Sequence, residues 1–114
     1  MGYKIVFLTS AEQDLKELKS YVVKNFSLNA WQDTYGKLKN PIRNLKVFPQ
    51  VGAIPEELER LNLTQYRQII SGMNRVIYEV RQEIIYIHLV AQINPTSHTK
   101  FQVHQETQRL VFKK

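Results

Sequence analysis

Residues 66–90 read YRQIISGMNRVIYEVRQEIIYIHLV, three apolar runs rich in β-branched residues and separated by short polar breaks at Gly72 to Asn74 and Gln82-Glu83. Breaks that short leave no room for a crossover, so the runs are expected to form an antiparallel meander. Register then decides where the charges go. A two-residue loop at Gly72-Met73 would set Arg67 on the face of Ile69, Val76 and Tyr78, an expensive place for a cation. A three-residue loop of Gly72, Met73 and Asn74 instead opposes Ser71 to Arg75 and Arg67 to Glu79, which predicts a cross-strand ion pair. With a two-residue turn at Gln82-Glu83, Val76, Tyr78 and Val80 align with Leu89, Ile87 and Ile85 on a packed face. Arg67, Ile69, Arg75, Ile77, Glu79, Tyr86 and His88 gather on the other face, which is expected to meet solvent or a partner.

The chain upstream supplies what covers the packed face. Tyr3 to Leu8 alternate as a strand, and Ser10 with Gln13 reads as a capping box ahead of a helical stripe of Leu15, Leu18, Val22 and Phe26. After a polar turn at Asn25 to Asn29, a second stripe of Trp31, Tyr35, Leu38, Ile42 and Leu45 steps by four and three along one face. Pro41 is expected to bend or break this second helix near Asn40. The two helices should lie antiparallel, stripe against stripe. Phe48-Pro49 follows, then a loop with a single helical turn beginning at Pro55. The predicted fold is α+β: an N-terminal strand, an antiparallel helical hairpin, and a three-stranded antiparallel meander completing one sheet.

At 114 residues and 43% hydrophobic content, the chain has material for one core. It has no cysteine, which removes disulfides, thiol nucleophiles and cysteine metal sites and suits a reducing compartment, so a cytoplasmic location is expected. No apolar run reaches membrane-spanning length, and the N-terminus does not read as a signal peptide. Sixteen Lys and Arg against 10 Asp and Glu give a formal charge of +6, which favours a polyanionic partner or simply makes a soluble basic surface.

The strand, helical hairpin, FPQVG, PEEL, YRQIISGMNRVIYEV and IYIHLV together resemble the RelE/ParE superfamily of type II toxin-antitoxin toxins. The resemblance covers residues 1–90 and is most specific at Phe48-Pro49 with Gly52 and at Tyr66-Arg67 through Asn74 to Glu79. It implies a small α+β toxin held inactive by a cognate antitoxin encoded beside it, whose C-terminal segment wraps the toxin, and a part in plasmid stabilisation. Two activities occur in that superfamily. RelE-like members cleave mRNA on the ribosome, whereas ParE-like members inhibit DNA gyrase.

Cleaving RNA through its own 2′-hydroxyl needs an acid, a base and cations that stabilise the phosphorane. For that reading the candidates are Arg67 and Arg75 for phosphate, His88 for proton transfer, and Glu79 or Tyr86 as assistants. The structural reading of the same residues is a ladder ion pair and a strand histidine. RelE-like nucleases also resemble one another in a basic, aromatic cluster just after the last strand, whereas this chain continues AQINPTSHTKFQVHQ. A ParE-like gyrase inhibitor, which needs a binding surface and no catalytic set, is therefore preferred, with the ribosome-dependent endonuclease as the alternative. Its partner contacts are assigned to Arg67, Arg75, Trp31 and Tyr35.

Residues 91–114 match neither branch and are read as an atypical extension, for which a short hairpin is one expected form. A third reading, direct DNA binding, rests on Lys16, Lys19, Lys24, Lys37, Lys39, Arg43 and Lys46 across the helices, which are more simply a solvated outer face. His88, His98 and His104 lack metal-ligand spacing, the four glycines form no phosphate loop, and Ser71-Gly72 lies in a hairpin rather than a nucleophile elbow. No metal or cofactor is expected.

Overall fold

The computed structural model describes residues 2–93. In chain order the elements are β1 (Lys4–Phe7), α1 (Thr9–Asn25), α2 (Leu28–Asn44), α3 (Glu56–Glu59), β2 (Tyr66–Ser71), β3 (Asn74–Arg81) and β4 (Ile84–Gln92). They form one sheet in the order β1-β4-β3-β2; β2, β3 and β4 are antiparallel neighbours, and β1 lies parallel to β4. This is the expected α+β architecture. The expectation of a hairpin in the C-terminal extension falls, from residue 94 on, outside the described residues.

The helical stripes bury as their spacing predicts. Leu18 and Val22 of α1, together with Trp31, Leu38 and Ile42 of α2 and Leu45 beyond it, pack on Val76, Tyr78, Ile85, Ile87 and Val90 of the sheet. Two positions of the stripes differ: Phe26, at the end of the first, and Tyr35, within the second, are exposed. Ser27 caps α2 by accepting the Ala30 N–H at 2.9 Å.

Two helix expectations are corrected. Helix α1 begins before the expected capping box, with Leu8 at the N-cap position and no side-chain cap. Ser10 Oγ instead donates to the His88 carbonyl at 3.0 Å and ties the start of the helix to β4. Nor does Pro41 break α2, which runs on to Asn44. A proline there removes the N–H that would serve the carbonyl of Lys37 four residues back. Ser71 Oγ, on β2, donates to that carbonyl at 2.6 Å, so the freed acceptor finds a donor on the sheet.

The sheet register is also corrected. The β2–β3 connection is the two-residue turn Gly72-Met73, with Gly72 at φ +59°. Ser71 therefore pairs with Asn74, Ile70 with Arg75, Arg67 with Tyr78, and Tyr66 with Glu79. Arg67 and Ile69 lie on the helix-covered face, opposite to Arg75 and Glu79, and the expected Arg67–Glu79 ion pair does not form. The cost of a cation on that face is met at the sheet edge, where Arg67 Nη1 donates to the carbonyls of Gln50 (3.2 Å) and Gly52 (2.7 Å).

The Gln82-Glu83 turn is as expected, with Arg81 opposite Ile84. Further along, a β-bulge intervenes: Tyr78 faces Ile87 while Ile77 faces Leu89, leaving His88 as the extra residue. Val76 consequently pairs with Val90 rather than Leu89. Leu89 turns to the second face, where it packs with Leu58, Tyr66 and Ile77. Helix α3 thus covers part of a face that the sequence alone would leave to solvent or a partner.

Candidate functional site

The polar residues of the second face form a connected cluster. Glu79 on β3 and His88 on the β4 bulge are only 8% and 6% exposed, and His88 Nε2 lies 2.8 Å from Glu79 Oε1. Arg81, two residues beyond Glu79 on the same face of β3, brings Nε to 3.1 Å of the second carboxylate oxygen. Its guanidinium also sits 4.7 Å from the centroid of the Tyr86 ring. Tyr66 meets the imidazole edge-on, with ring centroids 5.0 Å apart. Burial pushes the Tyr66 phenol above its ordinary value, and the Glu79 carboxylate adds to the shift.

Arg75 stands on the same face nearer the β2–β3 turn. Its Nη2 is 2.7 Å from Glu57 Oε1 on α3, and its Nη1 donates to Gln68 Oε1 at 3.1 Å. This pair is largely shielded from water, and it holds α3 to the sheet. Of the residues singled out from sequence, Glu79, His88, Tyr86 and Arg75 therefore share a face, and Arg67 is on the other. Sequence reasoning misses Arg81, Glu57, Tyr66 and Gln68. Arg81 is legible in principle, because i and i+2 on a strand point the same way; Glu57 is not, since its approach depends on how the intervening loop folds back.

Arg67 belongs to a second construction on the helix-covered face. The Tyr78 hydroxyl donates to the Pro49 carbonyl at 2.8 Å and accepts the Gly52 N–H at 3.0 Å. Ala53 and Gln68 exchange backbone hydrogen bonds of 3.2 and 2.8 Å. With the Arg67 bonds, these fasten the segment 48–53 to the edge of β2. Burial raises the Tyr78 phenol above its ordinary value, partly offset by the Gly52 N–H and the Arg67 charge. The fastened segment exposes Phe48 and Val51 beside Ile70 along a groove of about 470 Å³. On α2, Trp31 is buried in the core and stacks on exposed Tyr35 at 5.5 Å.

Chemically, the second-face cluster orients an imidazole against a carboxylate, the arrangement that acid–base work uses, but both groups are buried and bound to each other. No group of three or more His, Cys, Asp or Glu side chains able to hold a metal is found among the described residues, and no helix among them is long and apolar enough to cross a membrane.

A family model for the ParE toxin of the type II toxin-antitoxin system parDE matches residues 5–92. Among solved structures, the fold is similar to a chain of the chromosomal ParDE toxin-antitoxin system from P. aeruginosa, with a TM-score of 0.67 and 14% identity over 81% of this chain and 97% of that one. It is also similar to a chain of the RelBE2 toxin-antitoxin complex from Mycobacterium tuberculosis, with a TM-score of 0.51 and 20% identity over 81% and 99% of the respective chains. No match was found among curated proteins.

Proposed function

Because the chain belongs to the ParE toxin family of type II toxin-antitoxin systems, we propose that it acts in the cytoplasm by gripping DNA gyrase rather than by cutting RNA, and that a cognate antitoxin holds it inactive. One observation carries the preference for gripping over cutting. The groups that a nuclease would use are turned toward one another: His88 binds Glu79, and Arg75 is held by Glu57 and Gln68. A general base works only within reach of the proton it takes, and a phosphate-binding guanidinium works best with free donors facing the phosphate. Arg67 directs its donors to backbone carbonyls of the loop it fastens.

For the antitoxin, exposure ranks the candidate contacts. Tyr35 offers its ring to a partner, while Trp31 supports it from beneath. Arg67 and Arg75 shape the surfaces around them through the contacts just described.

The test is a reconstituted gyrase reaction run beside a ribosome-bound mRNA cleavage assay. The proposal expects trapped, cleaved DNA with gyrase and intact mRNA on ribosomes. Cut mRNA, with the cutting lost in folded Arg75→Ala and His88→Ala variants, would establish the endonuclease instead. A salt-sensitive mobility shift with DNA alone, and neither other activity, would leave simple DNA binding.

A further inference from the structure

Residues 54–67 leave the sheet and return to it at one point, because Ala53 and Gln68 are bridged partners. A loop whose ends are already joined can move without dragging the sheet with it. Within it the chain folds on itself. The N–H groups of Leu58 and Glu59 bond to the Pro55 carbonyl at 3.0 and 2.9 Å, and that of Arg60 bonds to the Glu56 carbonyl at 3.1 Å. Asn62, at φ +59°, closes the turn: its N–H reaches the Glu59 carbonyl at 3.0 Å and the Leu63 N–H reaches back to Leu58 at 2.8 Å, the pairing that ends a helix on a left-handed residue. Among the described residues, no backbone hydrogen bond joins residues 55–63 to the sheet.

Side chains are what hold this unit down. Pro55 and Leu58 are fully buried, and Leu58 packs with Tyr66, Ile77 and Leu89, with Leu63 beside them. Glu57 reaches Arg75 at 2.7 Å, on the same face of the sheet as Ile77 and Leu89. A segment opens more readily the fewer buried contacts and backbone bonds must break first. By that measure residues 55–63 are weaker than β3 and β4, each of which has a strand on both sides.

We propose that residues 55–63 are a strap that opens from the sheet without global unfolding, and that Glu57 and Leu58 are the clasp that sets how often it does. Closed, the strap covers the Arg75 guanidinium and the apolar pair Ile77 and Leu89. Open, it presents the three together on one face. A ligand of that face must wait for the opening, so the strength of the clasp sets its apparent affinity, and binding draws the equilibrium toward the open form. The device stands whether the toxin acts on gyrase or on another target.

The test is thiol labelling of the full chain, which has no cysteine of its own. Ile77→Cys lies under the strap, whereas Val76→Cys, its neighbour in β3, lies under the helices on the other face, and both positions are buried. The Ile77→Cys thiol is expected to react at least about tenfold faster, with a shallower dependence on urea, because lifting a strap exposes less surface than unfolding the chain. Glu57→Ala should speed that reaction about tenfold or more, the worth of a hydrogen bond between charged groups. Ile42→Val, which loosens the helical layer, should speed labelling of Val76→Cys severalfold and leave that of Ile77→Cys unchanged. Amide exchange in the unsubstituted chain reads the same opening if either cysteine variant fails to fold: the Arg60 and Leu63 amides should exchange faster, and with less dependence on urea, than those at the centre of β3. Equal labelling or equal urea dependence at the two thiols, an Ile77→Cys rate that ignores Glu57→Ala or follows Ile42→Val, or strap amides as slow as those of β3 would each overturn the proposal.

Discussion

Gly52→Ala tests how the segment 48–53 is fastened. A Cβ built on Gly52 would lie 2.5 Å from the Gln68 carbonyl oxygen and 2.7 Å from the Tyr78 hydroxyl, far inside ordinary contact. Neither neighbour retreats easily. The Gln68 carbonyl is held by the Ala53 N–H, and the Tyr78 side chain is fully buried. The segment must lift, which stretches the Gly52 bond to Tyr78, the Tyr78 bond to Pro49 and the Arg67 bond to Gly52. Depriving a buried hydroxyl of its partners costs about 1–3 kcal/mol and forcing in a methyl group about the same, so the expected loss is about 2–6 kcal/mol. With a urea slope of about 1–3 kcal/mol/M, the midpoint should fall by about 1–3 M. Gly36→Ala is the internal control. Nothing lies within 4 Å of its Cβ, it sits inside α2, and replacing it should stabilise the fold by about 0.5–1 kcal/mol. A Gly52→Ala protein within about 0.5 kcal/mol of the parent would refute the steric reasoning, because that is the scatter of harmless surface changes.

The bridge between Ser71 and the Lys37 carbonyl calls for a double-mutant cycle. Ser71→Ala should cost about 0.5–1.5 kcal/mol in the parent and close to nothing once Pro41→Ala has restored the helical N–H, and additive costs would show that the hydroxyl does not compensate for the proline. Raising the pH should expose Tyr78. Its phenol ionises less readily folded than unfolded, so it contributes stability that is fully present below the ordinary value of 10.0 and is lost as pH climbs from there through the raised folded value. In Tyr78→Phe, unfolding midpoints measured above pH 10 should decline less steeply than in the parent; parallel declines would discount this tyrosine. Finally, Glu79→Ala removes the carboxylate that both His88 and Arg81 bind, and thermal unfolding should register a loss of about 1–3 kcal/mol. No measurable loss would mean that the cluster contributes nothing net to the fold.

The helical hairpin is legible in the sequence because its information is local: a stripe of Leu18 and Val22, or of Trp31, Leu38 and Ile42, carries its period in neighbouring turns. The meander is legible for the same reason, since its turns are too short for any other connection. What escapes reading depends on groups distant in the chain. The two-residue turn looks excluded because it lands Arg67 on the apolar face, yet it is admitted by carbonyls of Gln50 and Gly52 that come back to the sheet edge from well upstream. Pro41 looks like a helix breaker when its missing hydrogen bond is counted without Ser71, which belongs to another element. The bulge at His88 leaves no mark in the alternation of IYIHLV, but it reverses the facing of Leu89 and places the imidazole against Glu79. In the candidate site, parity along the strands groups Glu79, Tyr86 and His88 correctly. Arg67 is misplaced by an error of one residue in a loop.

The parallel union of β1 with β4 has a consequence for how the polypeptide is made. Lys4 finds its place opposite Ile84, 80 positions further along, so the first strand leaves the ribosome long before its template exists. At about 5–20 residues per second, the wait lasts from about 4 to 16 seconds. Closing so wide a loop is also slow, because its entropic cost precedes any contact that offsets it. The nascent chain therefore completes its sheet only after β4 has been made, and the interval before that is when chaperones or proteases find it most easily.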